Sequence, residues 1–471
     1  MSPGALGSAR SGTVSRWVAA TTFADIPPDV AAATRSRVLD LIGLAIAGGT
    51  TPFGRAVQAS AGAWPGREAR LWGSGETASV LGAALVNGAC SQALEYDDTH
   101  NESIVHISSP SVAAALALGE ARGSSGAAAI TAIAIGNELS ARVGSVAPQQ
   151  FHKRGFHPSG LFAPFGVAWL AGSLMRLSSE AMGNAVGIVG SFAAGLIQCW
   201  VDGTSAKFLH PGWAAQSGVA AAVLASNGAT GPAEVFEGRF GLFASHLQDG
   251  AAAPDFDRIT AGLGERWDSR ASSFKPFPVA HVIHPYIDAL LRLRARHGLT
   301  AGRIAAIEVP VAPYIVPIVC EPAREKRRAL SDSHGRVSLP YTLAEALVTG
   351  RIGRDAYAPA GLADPAILAL ADKVAIQVDP AMPGSEQFKG AVTVVTTAGE
   401  RLTEIEEHNR GSAANPMSAA EIDGKFRENV AGVLSDAEAD RVIAAVSELE
   451  AIGDVAELTR LTVPGQGPRR G

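Results

Sequence analysis

The chain of 471 residues carries a formal net charge of −6, and 47% of its residues are hydrophobic and 18% charged. This composition allows a large buried core. Apart from residues 324–328, the sequence contains no block of basic residues, so it does not indicate a nucleic-acid partner.

Three widely separated cysteines form neither a disulfide framework nor a CxxC zinc motif, which favours a reduced compartment. No apolar run reaches the ~18 residues of a membrane-spanning helix without glycine or polar interruptions. The N-terminal segment lacks the apolar core of a secretory signal peptide. These features predict a cytoplasmic protein with no membrane partner.

The first part of the chain is rich in alanine and glycine and predicts a helical domain. Pro27 and Pro28 mark the first turn of a helix that ends near Gly48. Apolar periodicity predicts further helices over residues 56–63, 78–93, 127–144, 161–174, 179–198 and 213–225. Their many small residues predict that neighbouring helices approach closely.

The pattern changes near Trp267. Alternating apolar residues predict strands over 304–309, 375–378, 391–397 and 401–405. The last two read as a β-hairpin, and helices are predicted over 284–297, 339–349, 418–434 and 436–449. The predicted fold class is therefore mainly α. A large helical domain comprises residues 1–267 and 409–471, and a smaller α+β domain comprises residues 268–408.

The stretch from residue 87 to 120 crowds acids and imidazoles beside apolar chain. It contains Asp97, Asp98, His100 and His106, followed by a Ser-Ser-Pro turn and an uncharged run. Such crowding shifts pKa values, and shifted pKa values concentrate at functional sites. The sequence therefore predicts part of an acid–base site here.

Three further loops place basic side chains beside apolar helices: His152 and His157; Lys207 and His210; and Lys275, His281 and His284. A single histidine beside a proline is more often a structural turn residue, and a single lysine is more often exposed. The apolar sequence around Lys207, SAKFLHPGW, predicts burial instead. A buried lysine needs a carboxylate partner, from the protein or from a ligand.

Metal and dinucleotide sites are not favoured by these spacings. The sequence has no HExxH or HxH motif, and no predicted strand leads a GxGxxG motif into a helix. Imidazoles can instead transfer protons to and from carbon, and lysines can hold carboxylates and stabilise the charge on them. The residues alone predict a lyase or isomerase that acts on a small anion without cofactor or metal.

The order of these motifs resembles the MmgE/PrpD family. The matching segments are YDDTH, RGFHPSG, DGTSAKFLHPGWAAQSG, KPFPVAHVIHP and SLPY, with DLIGLAIAGG before them. The family includes 2-methylcitrate dehydratase, cis-aconitate decarboxylase and iminodisuccinate epimerase, which act on di- or tricarboxylates without a metal. The resemblance implies a helical domain built from both chain ends, a smaller α+β lid (residues 268–408), a site between them, and a homodimer.

The resemblance also implies the site residues. The implied catalytic residues are Asp97, His106, His157, Lys207 and Tyr341. The implied substrate-binding residues are Thr99 and Lys275, together with a lid histidine that is either His281 or His284. Tyr341 and the lid histidine would close over the substrate.

The leading hypothesis is a cofactor-independent lyase, a decarboxylase or dehydratase of a small polycarboxylate such as cis-aconitate. Lys207 and Lys275 would bind carboxylates, and His106 and His157 would move protons at the reacting carbon. Asp97 would orient a histidine and raise its basicity.

Two alternatives remain open. The first is an isomerase that epimerises a dicarboxylate with one histidine on each face of a stereocentre, and the second is a non-catalytic binding protein. The dehydratase branch usually carries a Trp-Gly loop that this chain lacks, and the YDDTH form is closer to the decarboxylase and epimerase branch. The chain also has Ile107 where the family often has a proline.

Overall fold

The computed structural model describes residues 9–248, 253–384 and 387–465. Its elements confirm the predicted mainly α fold. The described helices before residue 268 are α1 (Arg10–Ala20), α2 (Pro28–Gly49), α3 (Pro52–Ala59), α4 (Val80–Gln92), α5 (Ser108–Arg122), α6 (Gly126–Gly144), α7 (Gln150–Lys153), α8 (Pro158–Leu174), α9 (Ser179–Val189), α10 (Cys199–Asp202), α11 (His210–Ser226), α12 (Leu242–Leu247) and α13 (Asp257–Thr260). Short antiparallel strand pairs join β1 (Ala69–Arg70) to β2 (Thr77–Ala78), and β3 (Thr99–His100) to β4 (Ser272–Ser273).

The lid contains a four-stranded sheet and its own helices. The strands are β5 (Ile304–Val311), β6 (Val374–Val378), β7 (Gly390–Thr396) and β8 (Arg401–Glu406), in the order β6-β5-β7-β8. The β7–β8 pairing confirms the predicted hairpin, and only β5 and β6 run parallel within this sheet. The lid helices are α14 (His284–His297), α15 (Ala323–Arg327), α16 (Asp332–Gly335), α17 (Leu339–Thr349), α18 (Pro359–Leu362) and α19 (Pro365–Ala371).

The C-terminal helices return to the first part of the chain. They are α20 (Ala419–Val430), α21 (Asp436–Ser447) and α22 (Ala456–Leu461). α20 packs against α2, and Phe426 and Val442 share one apolar core with Leu41 and Ile42. The lid has a separate apolar core that packs α14 and α17 against the sheet. The first and last parts of the described chain therefore share one core, while the exact boundaries at residues 267 and 409 stay predictions.

Small residues let the central helices cross closely. α8 is buried along almost its whole length and packs against α6 and α11. A Cβ added at Gly166 would lie 2.1 Å from Ser140 Oγ and 2.4 Å from the Gly136 carbonyl oxygen, so this crossing requires glycine. Although these helices are apolar, none within the described ranges is both long and apolar enough to cross a membrane.

The prediction of one helix over residues 179–198 is wrong at its C-terminal end. α9 stops at Val189, and the following segment crosses the start of α8. The Ala194 N–H donates to the Gly160 carbonyl (3.2 Å), and a Cβ at Gly160 would lie 2.2 Å from the Ala194 carbonyl oxygen. This backbone contact replaces the helix and turns the segment towards the candidate site.

Candidate active site

A cavity of about 1050 Å³ lies between the helical domain and the lid. Loops of both parts contribute to its wall. Of the residues expected from the sequence, the structure brings together at this wall Thr99, His106, His157, Lys207, Lys275 and His281. The short β3–β4 pairing explains part of this convergence, because it places Thr99 opposite Ser273, two residues before Lys275.

A buried carboxylate at the cavity wall joins the two lysines. Both carboxylate oxygens of Glu95 accept hydrogen bonds from Lys207 Nζ. Lys275 Nζ donates to Glu95 Oε1 (3.1 Å) and to the Glu95 carbonyl oxygen (3.0 Å). The buried Lys207 that the sequence predicts therefore has its carboxylate partner within the protein.

Burial and neighbouring charges shift the pKa values of Glu95 and Lys275. Burial by itself would raise the pKa of Glu95, but the neighbouring Lys207, Lys275 and His106 bring it well below its ordinary value of 4.5. Burial lowers the pKa of Lys275, and Glu95 and Asp97 oppose that effect. The neighbouring positive charges therefore keep the buried Glu95 carboxylate ionised.

His106 is held by the acidic loop. Its Nδ1 lies 3.2 Å from Asp97 Oδ2 and 3.1 Å from the Asp98 carbonyl oxygen. Its Nε2 is 4.0 Å from Glu95 Oε1, and its backbone N–H donates to Ser159 Oγ (2.9 Å). An acceptor at Nδ1 fixes the ring orientation and directs Nε2 towards the cavity.

The two adjacent aspartates have different partners. Asp97 is buried behind His106 and also accepts a hydrogen bond from Ser109 Oγ (2.6 Å). Asp98 pairs with Arg37 of α2 (3.1 Å) and accepts from Ser108 Oγ (2.7 Å). Asp97 is therefore the carboxylate beside the imidazole, and Asp98 anchors the loop to the helical core.

His157 and His210 form a hydrogen-bonded pair of imidazoles. Their Nδ1 atoms lie 2.8 Å apart, so one ring donates and the other accepts. Burial lowers the pKa of His157 well below 6.5, and His210 and Lys207 lower it further. His157 is therefore neutral at pH 7. Its ring centroid is 5.7 Å from that of His106, so two imidazoles lie close together at the cavity wall.

The two lid histidines lie at different depths from the cavity. His281 lines the cavity, and its Nε2 lies 2.9 Å from Asn409 Nδ2. His284 is fully buried behind it, with Nε2 3.1 Å from the Val279 carbonyl oxygen. The ring centroids are 4.8 Å apart. Of the two alternatives left open by the sequence, His281 is the one that reaches the cavity.

Two family models match the chain. The MmgE/PrpD N-terminal domain matches residues 12–254, and the MmgE/PrpD C-terminal domain matches residues 277–451. The chain belongs to the MmgE/PrpD family. This confirms the family predicted from the ordered motifs.

Curated relatives of the family match over nearly the whole chain. The cis-aconitate decarboxylase-like protein oryM of Aspergillus oryzae is 26% identical over 94% of this chain and 95% of its own length. A cis-aconitate decarboxylase of Aspergillus terreus is 26% identical over 96% of both chains. That of Mus musculus is 25% identical over 91% of this chain and 88% of its own length. These findings confirm the prediction of an MmgE/PrpD-type lyase.

Tyr341, which the MmgE/PrpD resemblance implied, lies elsewhere. It is fully buried in α17, within the apolar core of the lid, and its ring is 5.9 Å from that of Tyr357. It is not among the described residues that line the cavity. Contact between Tyr341 and a substrate stays a prediction that this geometry does not support, and the same holds for His284.

Two buried charged residues of the described cavity wall, Glu95 and Lys326, were not predicted from the sequence. Glu95 directly precedes the YDDTH motif, whose adjacent acids Asp97 and Asp98 are the more conspicuous feature of the sequence. Lys326 lies in the basic run 324–328, which reads as a solvated charge block, yet it is 2% exposed and lines the cavity. A lone acid just beyond the apolar helix α4, which ends at Gln92, was the available signal for Glu95.

The predicted absence of metal and cofactor stays a prediction. In the part of the chain that the structure describes, no three His, Cys, Asp or Glu side chains are arranged to hold a metal ion. The chemistry that this arrangement supports directly is proton transfer by imidazoles and charge stabilisation by lysines.

Proposed function

We propose that the protein decarboxylates a small unsaturated polycarboxylic acid, such as cis-aconitate, without a cofactor. The observation that carries this proposal is the convergence of a carboxylate-backed imidazole, His106, with two lysines in one cavity. The names of the curated relatives favour the same reaction. At this level of identity they support the substrate class rather than one particular acid.

The lysines retain donors for a substrate. Each ammonium group has three N–H bonds. The described hydrogen bonds of Lys207 go to the two oxygens of Glu95, and those of Lys275 go to one of these oxygens and to the Glu95 backbone. Each lysine can therefore offer one further N–H, and the two oxygens of a substrate carboxylate can accept one bond from each.

Decarboxylation would use these groups as follows. The bond between the leaving carboxylate and its carbon breaks, CO₂ departs, and the electron pair moves through the adjacent double bond towards the carboxylate held by Lys207 and Lys275. The lysines stabilise the negative charge that develops there. His106, oriented by Asp97, donates a proton to the carbon next to that carboxylate and regains one from solvent. Neutral His157, whose ring centroid is 5.7 Å from that of His106, passes a proton from solvent to His106 after each turnover.

Incubation of the purified protein with cis-aconitate, 2-methylcitrate and iminodisuccinate, followed by ¹H NMR in D₂O, tests this function. We expect CO₂ release from the unsaturated acid, with one solvent deuteron at the newly protonated carbon of the product. Loss of water from 2-methylcitrate would instead show that the protein is a dehydratase. If none of the three acids changes, the proposed substrate class is wrong.

Epimerisation of a dicarboxylate is the second candidate. It is favoured by the presence of two imidazoles, His106 and His157, at one site with ring centroids 5.7 Å apart. The same experiment separates the reactions. Solvent deuterium in the recovered acid, without release of CO₂ or water, would identify an epimerase.

We also infer that the protein is a homodimer. Leu209, Trp213, Val223 and Leu224 are each 40% to 44% exposed and lie on one face at and along α11, and an exposed apolar face of this kind favours a protein partner. Light scattering after size-exclusion chromatography should give twice the 48.3 kDa chain mass, and Leu224→Glu should reduce it to one chain. A monomeric wild-type protein contradicts the inference. A cytoplasmic location stays a prediction.

A further inference from the structure

One buried lysine differs from the others in its electrostatic partners. The buried lysines in the described ranges are Lys207, Lys275, Lys326 and Lys425. Lys207 and Lys275 share Glu95, and Lys425 pairs with Asp40 at 2.8 Å. For Lys326, no described carboxylate oxygen lies within 4.0 Å. It is the exception to the rule that buried charges are paired.

The surroundings of Lys326 leave room for an anion. The residue lies on α15 of the lid, and Nζ donates one hydrogen bond, to the Val337 carbonyl oxygen at 2.7 Å. Of its three N–H bonds, two have no acceptor among the described residues. Both Lys326 and Val337 line the cavity that also contains Lys207 and Lys275. Burial lowers the pKa of Lys326 to about 8, so the side chain is still mainly cationic at neutral pH.

A purely structural role does not account for this placement. One hydrogen bond to a backbone carbonyl stabilises a charged donor by less than the burial of an unpaired charge costs. An apolar side chain of similar length would fill the same space without that cost. A bound anion would supply the missing countercharge.

We propose that Lys326 binds a second carboxylate of the substrate from the lid side of the cavity. This inference rests on the proposed function, in which a polycarboxylic acid occupies the cavity. Lys207, from the helical domain, and Lys326, from the lid, then contact the same acid. The cavity discriminates in this way between polycarboxylates and monocarboxylates, since a single carboxylate satisfies only the lysines at Glu95.

The test compares ligand binding by Lys326→Met with that of the wild-type protein. The probe is tricarballylate, a saturated tricarboxylate that cannot undergo the proposed decarboxylation, measured by isothermal titration calorimetry, with the monocarboxylate butyrate as the second ligand. We expect tricarballylate to bind Lys326→Met about 10- to 100-fold more weakly, the range for loss of a charged hydrogen bond. Affinity for butyrate should change less than about 3-fold, within one weak neutral interaction.

Lys373→Met is the matched control. Lys373 is also in the lid and also donates to a backbone carbonyl, that of Ile304 at 2.7 Å, but it is not among the described cavity residues. Lys373→Met should bind tricarballylate with the same affinity as the wild-type protein. The melting temperature of Lys326→Met should equal or exceed that of the wild-type protein, because an unpaired buried charge is removed.

Three results would overturn the inference: unchanged affinity in Lys326→Met, an equal loss in Lys373→Met, or no binding of tricarballylate by the wild-type protein. A lower melting temperature with affinity retained would assign Lys326 a structural role. Because tricarballylate binding involves no turnover, the outcome is separate from the reaction. Binding through Lys326 without activity on any acid would retain this inference and reject the proposed decarboxylation.

Discussion

Replacing His157 by asparagine is expected to lower kcat by about 10²- to 10⁴-fold, the usual contribution of a positioned proton-transfer group. Asparagine can place an amide atom near the position of Nδ1 and keep the hydrogen bond to His210, which lies 2.8 Å away in the wild-type protein. The amide cannot exchange a proton at neutral pH. Activity should therefore fall while the melting temperature changes little. Initial rates of CO₂ release and thermal denaturation measure the two effects.

His246→Gln is the control for this substitution. His246 packs against Phe151 and Phe156 and is outside the described cavity wall, so its kcat should match that of the wild-type protein. His210→Asn should retain more activity than His210→Leu, because only asparagine can still bond to Nδ1 of His157. Full turnover by His157→Asn would remove His157 from the mechanism.

Local sequence patterns predict the elements of the lid well. The helices α14 and α17 coincide with the predicted ranges 284–297 and 339–349, and the hairpin β7–β8 follows the alternation of apolar residues around Gly399. Periodicity and turn chemistry decide such elements within a few residues of chain. The overextended helix over 179–198 shows the limit, because its end is set by contact with Gly160, which is distant in sequence.

The candidate site is predictable only in part for the same reason. Loop motifs identify His106, His157 and Lys207, whose types and surroundings mark them as functional. The partner of Lys207 is Glu95, 112 residues away, and Lys275 reaches the same carboxylate across 180 residues. The spacing of residues along the sequence does not show which distant residues form such pairs. The sequence therefore shows that Lys207 needs a carboxylate without showing which one.

Tyr341 shows a different limit of the sequence, which concerns the direction of a side chain. Its motif, SLPY, matches the family, and the residue lies in the first turn of α17, which begins at Leu339. Its ring, however, packs into the apolar lid core instead of facing the cavity. A motif match transfers residue identity, but the direction of a side chain depends on how the helix is packed.

Glu95→Gln is expected to have the largest effect on stability. The substitution keeps the shape of the side chain but leaves Lys207 and Lys275 buried without their shared countercharge. Breaking a buried ion pair by removal of one partner costs about 3–5 kcal/mol. Chemical denaturation at pH 7 should show a loss of this size in the free energy of unfolding. Glu345→Gln is the control, because Glu345 is buried without a lysine partner among the described residues. This substitution should lower the free energy of unfolding only slightly.

The pH dependence of that loss identifies its cause. The lysines lower the pKa of folded Glu95 below its unfolded value near 4.5, so its contribution is fully present above about pH 4.5 and is lost as pH falls towards the folded pKa. The difference between wild-type protein and Glu95→Gln should therefore be constant from about pH 6 to 8 and shrink below about pH 4.5. Added tricarballylate should raise the melting temperature of Glu95→Gln more than that of the wild-type protein, because its carboxylates replace the missing charge. A difference that does not vary with pH, with no greater response to the anion, would show that Glu95 acts through packing rather than through its charge.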